Sequence, residues 1–221
     1  MILAETRYAV AEAARELHRT GLVQGTAGNV SARDDDTGLI AITPSAAPYE
    51  SMRADDIAVV HQDGTLVEGL YAPSSEVPMH VAVYQKLPWV RSVVHTHSPY
   101  ATTFAALNLP IEPAHYLIAL VGERIPVALY ATYGTEEIGR RAVDALGDGL
   151  AVLLQGHGVL TVGATLPQAM TAAAVTEYVA RIYHQALVIG QPELLPREEL
   201  LRLRDRFASY RVVPLTPGTD T

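Results

Sequence analysis

Apolar positions along the chain switch between two periods. Over residues 5–19 they recur at helical spacing, and Gly21 closes the run. That pattern predicts an amphipathic helix, followed by a Gly-rich loop from Leu22 to Asn29. Short apolar alternations then come in pairs. Val30 to Arg33 and Leu39 to Thr43 flank Asp34-Asp35-Asp36-Thr37-Gly38, and Ile57 to Val60 and Thr65 to Val67 flank Gln62-Asp63-Gly64. Each pair predicts two strands around a turn, since Asp, Thr and Gly supply turn geometry. Pro73-Ser74-Ser75-Glu76 predicts a helix start, with a Ser cap and a carboxylate in the first turn, running to about Lys86. Pro78 fits that helix only near its first turn, because proline has no N–H to donate deeper in. Further strands are predicted over 91–96, 125–130, 150–155 and 159–162, and further helices over 99–107, 135–146, 166–189 and 197–209.

Strand pairs and helices are interleaved rather than strictly alternating. The expected fold is therefore α/β: a three-layer α/β/α sandwich whose central sheet is mixed and mostly antiparallel. Residues 1–212 read as one domain. The last residues, 213–221, hold two prolines and a glycine and read as a flexible tail.

Composition narrows the possible functions. Hydrophobic residues make up 49% of the chain and charged residues 18%, which is enough apolar material for a real core. The formal net charge of −8 argues against nucleic acid as a partner. It also means that a site for an anionic ligand has to be built locally, from backbone N–H groups in Gly-rich turns. The first twenty residues carry Glu5, Arg7, Glu12, Arg15 and Glu16 and read as neither signal peptide nor membrane span, so the cytoplasm is the expected compartment. With no cysteine in the chain, any transition-metal site has to use histidine and carboxylate.

Candidate chemistry follows from that constraint. Val93-Val94-His95-Thr96-His97 ends a predicted strand, and side chains two apart on a strand share a face. The pair reads either as two nitrogens presented to one metal or as polar residues where a strand surfaces. His157 lies in Gln155-Gly156-His157-Gly158, straight after another apolar strand. It reads either as a third ligand, approached over glycines, or as the exposed tip of a tight hairpin. Three histidines suit a catalytic zinc with an open position, and the same donors accept Mn2+ or Co2+. Glu76 is a candidate acid/base, or a carboxylate that complements a helix dipole. His80, four residues on, reads as a packing residue between Met79 and Val83. Gly25-Thr26-Ala27-Gly28-Asn29 and Thr43-Pro44-Ser45-Ala46 are the candidate anion cradle, with open N–H groups, hydroxyls and an amide.

Taken in order, these segments resemble the class II aldolase/adducin-head family over almost the whole chain. The resemblance is carried by Gly21 to Ser31, Pro73-Ser74-Ser75-Glu76, Val93 to His97, His115-Tyr116, Tyr130-Ala131-Thr132-Tyr133-Gly134-Thr135 and Leu153 to Gly158. It implies zinc on His95, His97 and His157, with Glu76 as a fourth ligand and acid/base. It implies a substrate phosphate held by Gly28, Asn29, Ser45, Ala46, Ser74 and Ser75. Tyr116 matches the family's proton-donating tyrosine, and Tyr210 matches a tyrosine lining the site. The activity implied is cleavage of a ketose 1-phosphate, such as L-fuculose 1-phosphate, to dihydroxyacetone phosphate and a small aldehyde such as L-lactaldehyde. A pentulose-phosphate 4-epimerase, a methylthioribulose-1-phosphate dehydratase and a non-catalytic adducin-head-like scaffold are the other readings. The implied assembly is a homotetramer with sites between subunits. One position departs from the family: Ala46 stands where glycine is usual. Alanine serves there if its φ is negative; a positive φ weakens the phosphate grip.

Overall fold

The structure, a computed structural model, describes residues 1–209. Eight strands form one open sheet in the order β4-β3-β2-β1-β5-β8-β7-β6. They are β1 (Asn29–Arg33), β2 (Ile40–Ile42), β3 (Ala58–Val60), β4 (Leu66–Glu68), β5 (Ser92–Thr96), β6 (Val127–Ala128), β7 (Ala151–Leu154) and β8 (Gly158–Gly163). Neighbours run antiparallel except β6 and β7, which are parallel. Six α-helices accompany the sheet: α1 (Ala4–Arg19), α2 (Val77–Lys86), α3 (Pro99–Leu107), α4 (Glu136–Leu146), α5 (Leu166–Ile189) and α6 (Arg197–Ser209). The expected three-layer, mostly antiparallel α/β architecture is what forms. Among the described residues no helix is long and apolar enough to cross a membrane.

Alternation along each strand sorts side chains into two layers of core. Ile40, Ile42, Val93, Val152, Leu154, Leu160 and Val162 pack with α2 and α4 on one face. Val30, Ala32, Ala41 and Val94 meet α1 and part of α5 on the other. Ala151, Leu153 and Val159 extend that second face to α3, α5 and Leu200 of α6. One register matters most for function. β1 lies against β5 with Asn29 opposite His95 and Ser31 opposite Val93. The end of the Gly-rich loop is thereby laid beside the first histidine of the H-x-H pair.

Two expected elements come out differently. The strand over 125–130 shrinks to Val127–Ala128. Pro126 has no N–H for a ladder, and beyond Ala128 the side chains of Leu129 and Tyr130 turn out to solvent. The helix expected from Pro73 starts only at Val77, with Glu76 in the cap position at φ −98°, ψ 13°. Glu76 is therefore not a first-turn residue. The expected tail, 213–221, lies outside the described residues.

α2 is held in place by α4, and the two meet at Gly139. A Cβ on Gly139 would stand 2.6 Å from Ala82 Cβ and 2.7 Å from the Met79 carbonyl oxygen. Gly139→Ala gains up to about 1 kcal/mol of helix propensity but overpacks a backbone carbonyl, which costs about 1–3 kcal/mol. We expect a lower thermal midpoint for Gly139→Ala; a higher one would mean that the two helices can separate freely.

Candidate metal centre and anion-binding cavity

β5 leaves the core at His95-Thr96-His97. Val93 packs toward α2, and alternation puts His95 and His97 on that same side. His157 arrives from the next hairpin. Gln155-Gly156-His157 joins β7 to β8, with Gly156 at φ 64° and the His157 N–H donating to the Leu154 carbonyl at 2.9 Å. Both sequence readings of His157 apply in part: it is in a tight hairpin, but its ring is turned inward. Ring centroids of His95, His97 and His157 are 4.8, 4.7 and 4.9 Å apart. One nitrogen from each ring lies within 4.8 Å of the others. Glycine is needed beneath them. A Cβ on Gly158 would stand 2.5 Å from the Thr96 carbonyl oxygen and 2.9 Å from His97 Cδ2.

The donor chemistry of this cluster can be worked out link by link. The Nδ1–H of His95 donates to the Val159 carbonyl at 2.8 Å, which leaves Nε2 as a bare lone pair. That nitrogen faces His97 Nε2 at 2.9 Å and Glu76 Oε2 at 3.2 Å. Burial holds His95 well below the usual imidazole range, and the neighbouring His157 and His97 push the same way. His97 is also lowered, by burial first and His157 second. Both rings are therefore neutral near pH 7, the form in which imidazole binds metal.

Glu76 completes the set. Its backbone N–H donates to Ser74 Oγ at 3.2 Å, so the serine caps ahead of the helix and the glutamate side chain is free to turn toward β5. Oε2 accepts from Asn29 Nδ2 at 2.8 Å. Oε1 lies 3.5 Å from His157 Nε2, is buried, and has no hydrogen-bond partner among the described residues. A buried carboxylate oxygen without a partner is costly unless a cation answers it. Three imidazoles and this oxygen converge on one point, and that donor set fits a divalent metal.

An anion site adjoins it. Pro44 bridges Pro73, the Ser45 N–H donates to the Ala72 carbonyl at 3.0 Å, and the Ser74 N–H donates to the Thr43 carbonyl at 3.0 Å. These bonds zip two loops that are far apart in sequence and set Ser45 and Ala46 beside Ser74 and Ser75. With Gly28, Asn29, Glu76, His97 and His157 they line one cavity of about 370 Å³. Among the described residues no lysine or arginine lines it, and the donors they offer an anion are backbone N–H groups and hydroxyls. The Asn29 amide is differently engaged than the cradle reading implied: it donates to Glu76, and its oxygen faces His80.

Thr26, already part of the candidate cradle, also lines the cavity, as do Tyr130 and Tyr133, half-exposed or more at its rim. The two tyrosines lie in a segment that carried the resemblance, but no site role was expected of them. His80 is buried as expected, yet it is bonded rather than merely packed: Ser31 Oγ lies 2.7 Å from its Nδ1, and Nε2 contacts Asn29 Oδ1. One expected site residue is not brought in within its own chain. Tyr116 begins a 3-10 turn, is 47% exposed, packs against His115 and Phe207, and does not line the cavity. Tyr210 lies outside the described residues.

Ala46 has φ 56°, so the condition under which alanine would serve without strain is not met. The left-handed conformation costs an L-residue about 1–2 kcal/mol, while glycine gives back about 0.4–1 kcal/mol through its freer unfolded chain. Ala46→Gly is thus expected to raise stability by roughly 0.5–1 kcal/mol, read as a higher denaturant midpoint. A lower midpoint would show that the Ala46 methyl makes contacts worth more than the strain.

The chain matches the Class II Aldolase and Adducin N-terminal domain over residues 8–184. It is 37% identical over 210 residues to the 5-deoxy-D-ribulose 1-phosphate aldolase of Bacillus thuringiensis serovar kurstaki, covering 95% of this chain and 99% of that one. It is 39% identical over 205 residues to the 5-methylthioribulose-1-phosphate/5-deoxyribulose-1-phosphate aldolase of Rhodospirillum rubrum, covering 92% and 91%. Among solved structures it superposes on an L-fuculose 1-phosphate aldolase with a TM-score of 0.90 at 37% identity, covering 94% of this chain and 98% of that one. The family match, the full-length relatives and the superposed fold agree, and the chain belongs to the class II aldolase and adducin N-terminal domain family, as an enzyme of its aldolase branch.

Proposed function

We propose that this aldolase cleaves, and in reverse forms, the C3–C4 bond of a ketose 1-phosphate, giving dihydroxyacetone phosphate and a small aldehyde. The observation that carries this reading is a cluster of histidine and carboxylate donors that adjoins a cavity rich in backbone and hydroxyl donors, with no lysine or arginine among the described residues that line it. His95, His97 and His157 would hold the metal, with Glu76 as a fourth ligand in the resting enzyme. Zinc suits these donors best, and manganese or cobalt is compatible. When bound, the metal supplies a Lewis acid for the substrate carbonyl.

The chain's own groups account for the remaining steps. Gly28, Ser45, Ala46, Ser74 and Ser75 orient the phosphate through backbone N–H and hydroxyl donors, which need no net positive charge. That binding places the carbon chain against Glu76. Glu76 Oε1, which has no hydrogen-bond partner among the described residues, takes the C3 proton in synthesis; in cleavage the carboxylate first gains a proton from solvent, to which Tyr116 returns the C4 hydroxyl proton, and gives it to C3 after the bond to C4 breaks. The C4 hydroxyl proton leaves through Tyr116. Because Tyr116 does not line the cavity of its own chain, we assign this role to Tyr116 of a second copy, in a homotetramer whose sites lie between subunits.

L-fuculose 1-phosphate is the first substrate to test. 5-Deoxy-D-ribulose 1-phosphate is the second, favoured by the relative that this chain covers almost completely. Release of dihydroxyacetone phosphate from one of them should be abolished by a chelator and restored by zinc. Chelator-resistant release would remove the metal from the reading, and no release from either ketose would remove the substrate class. His95→Ala should lose bound metal and activity together, measured as zinc per chain alongside turnover. Glu76→Gln should lower turnover by at least about a hundredfold, the scale of a positioned acid/base; near-normal turnover would leave Glu76 with no part in the chemistry.

A further inference from the structure

A buried polar chain runs from the metal centre into the core, and its links fix one another's direction. Glu76 Oε2 can only accept, so the Asn29 group facing it at 2.8 Å is the amide N–H. The Asn29 oxygen then faces the other way, against His80 Nε2. An amide oxygen can only accept, so that ring nitrogen carries the proton. A neutral imidazole with its proton on Nε2 has a bare Nδ1, which accepts the Ser31 hydroxyl proton at 2.7 Å. Ser31 Oγ in turn accepts from the Tyr84 hydroxyl at 2.7 Å. Asn29, Ser31, Glu76, His80 and Tyr84 are all at most 6% exposed, so water does not substitute for any link.

We propose that His80 is a positioning residue for the reaction: its Nε2–H locks the Asn29 amide so that the amide N–H, not the oxygen, meets Glu76. Without that donor the two orientations of the amide differ little on the His80 side. The flipped form sets a carbonyl oxygen against a buried carboxylate and drives Glu76 off the place where the three histidines converge. α2 brings this about by helical spacing, since His80 stands one turn after Glu76 and its backbone N–H bonds the Glu76 carbonyl at 3.3 Å. The glutamate and the residue that controls its partner thus move as one rigid piece. The assignment rests on the proposed role of Glu76 as metal ligand and proton carrier.

Two near-isosteric variants test it. His80→Gln places an amide N–H where Nε2 stood; His80→Met has similar length and volume but no donor. His80→Asn reaches only the Nδ1 position and serves as a second donor-less variant if the methionine protein fails to fold. For each full-length protein, zinc affinity is measured by competition with a chromogenic chelator, kcat and KM on the ketose 1-phosphate, and melting temperature. We expect His80→Gln to stay within about threefold of the parent. Met and Asn should lose roughly ten- to hundredfold in zinc affinity, the usual effect of removing a group that orients a ligand. Their kcat should fall by a similar factor, as for a lost hydrogen bond to a charged group, with KM little changed. The assignment is overturned if all three variants keep parental zinc affinity and kcat. It is equally overturned if Gln falls together with Met and Asn in step with melting temperature, which is what a packing role predicts. If the parent cleaves no ketose 1-phosphate while zinc affinity follows the donor pattern, the substrate reading fails and the His80 assignment stands.

Discussion

A carboxylate only 6% exposed, set among three imidazoles, is the constraint that the rest of this structure serves. Burying a charge is expensive unless partners meet it, and here the charge and its partners come from four separate elements. β5 brings His95 and His97, the β7–β8 hairpin brings His157, β1 brings Asn29, and the start of α2 brings the glutamate itself. One oxygen of Glu76 is answered by Asn29 and the other is left to the converging nitrogens. The Val159 carbonyl holds His95 in the tautomer whose free nitrogen points at that oxygen pair.

An antiparallel sheet suits such a centre because it places hairpin ends and strand starts side by side at one edge. Asn29 opposite His95 is a register fact, and a slip of one residue would turn every one of these side chains to the other face. The same register puts the Gly-rich loop next to the metal centre. The candidate cradle beyond it is assembled by main-chain bonds between residues 43–46 and 72–75, which gather backbone and hydroxyl donors in a chain of net charge −8. Ala46 in a left-handed conformation is the strained member of that cradle.

Much of this was legible residue by residue. Period-2 alternation set His95 and His97 on one face, and flanking glycines marked His157 as approachable. Helical spacing marked α1, α4 and α5 with ends close to those observed. The parts that misread were those where a local signal had two physical causes. A serine pair followed by glutamate looks like a helix start with a dipole-facing acid, but the helix begins one residue later and the acid turns to β5. A histidine between Met79 and Val83 looks like packing because burial and bonding leave the same mark on a sequence. Apolar residues over 125–130 look like a full strand, although Pro126 and the outward turn at Leu129 stop the ladder.

The sequence by itself determined the family, the period of most main elements, the identity of the candidate metal donors and the absence of cysteine chemistry, because each of these is carried by residue type at short range. Only the tertiary structure decided that Glu76 faces the histidines, that Asn29 serves Glu76 and His80 rather than the cradle alone, and that Tyr116 stands outside the cavity of its own chain. Those facts depend on which strands pair, in what register, and on where α2 rests against α4. Pairing and packing are set by the sum of many weak contacts across the core, and no short stretch of the chain records that sum.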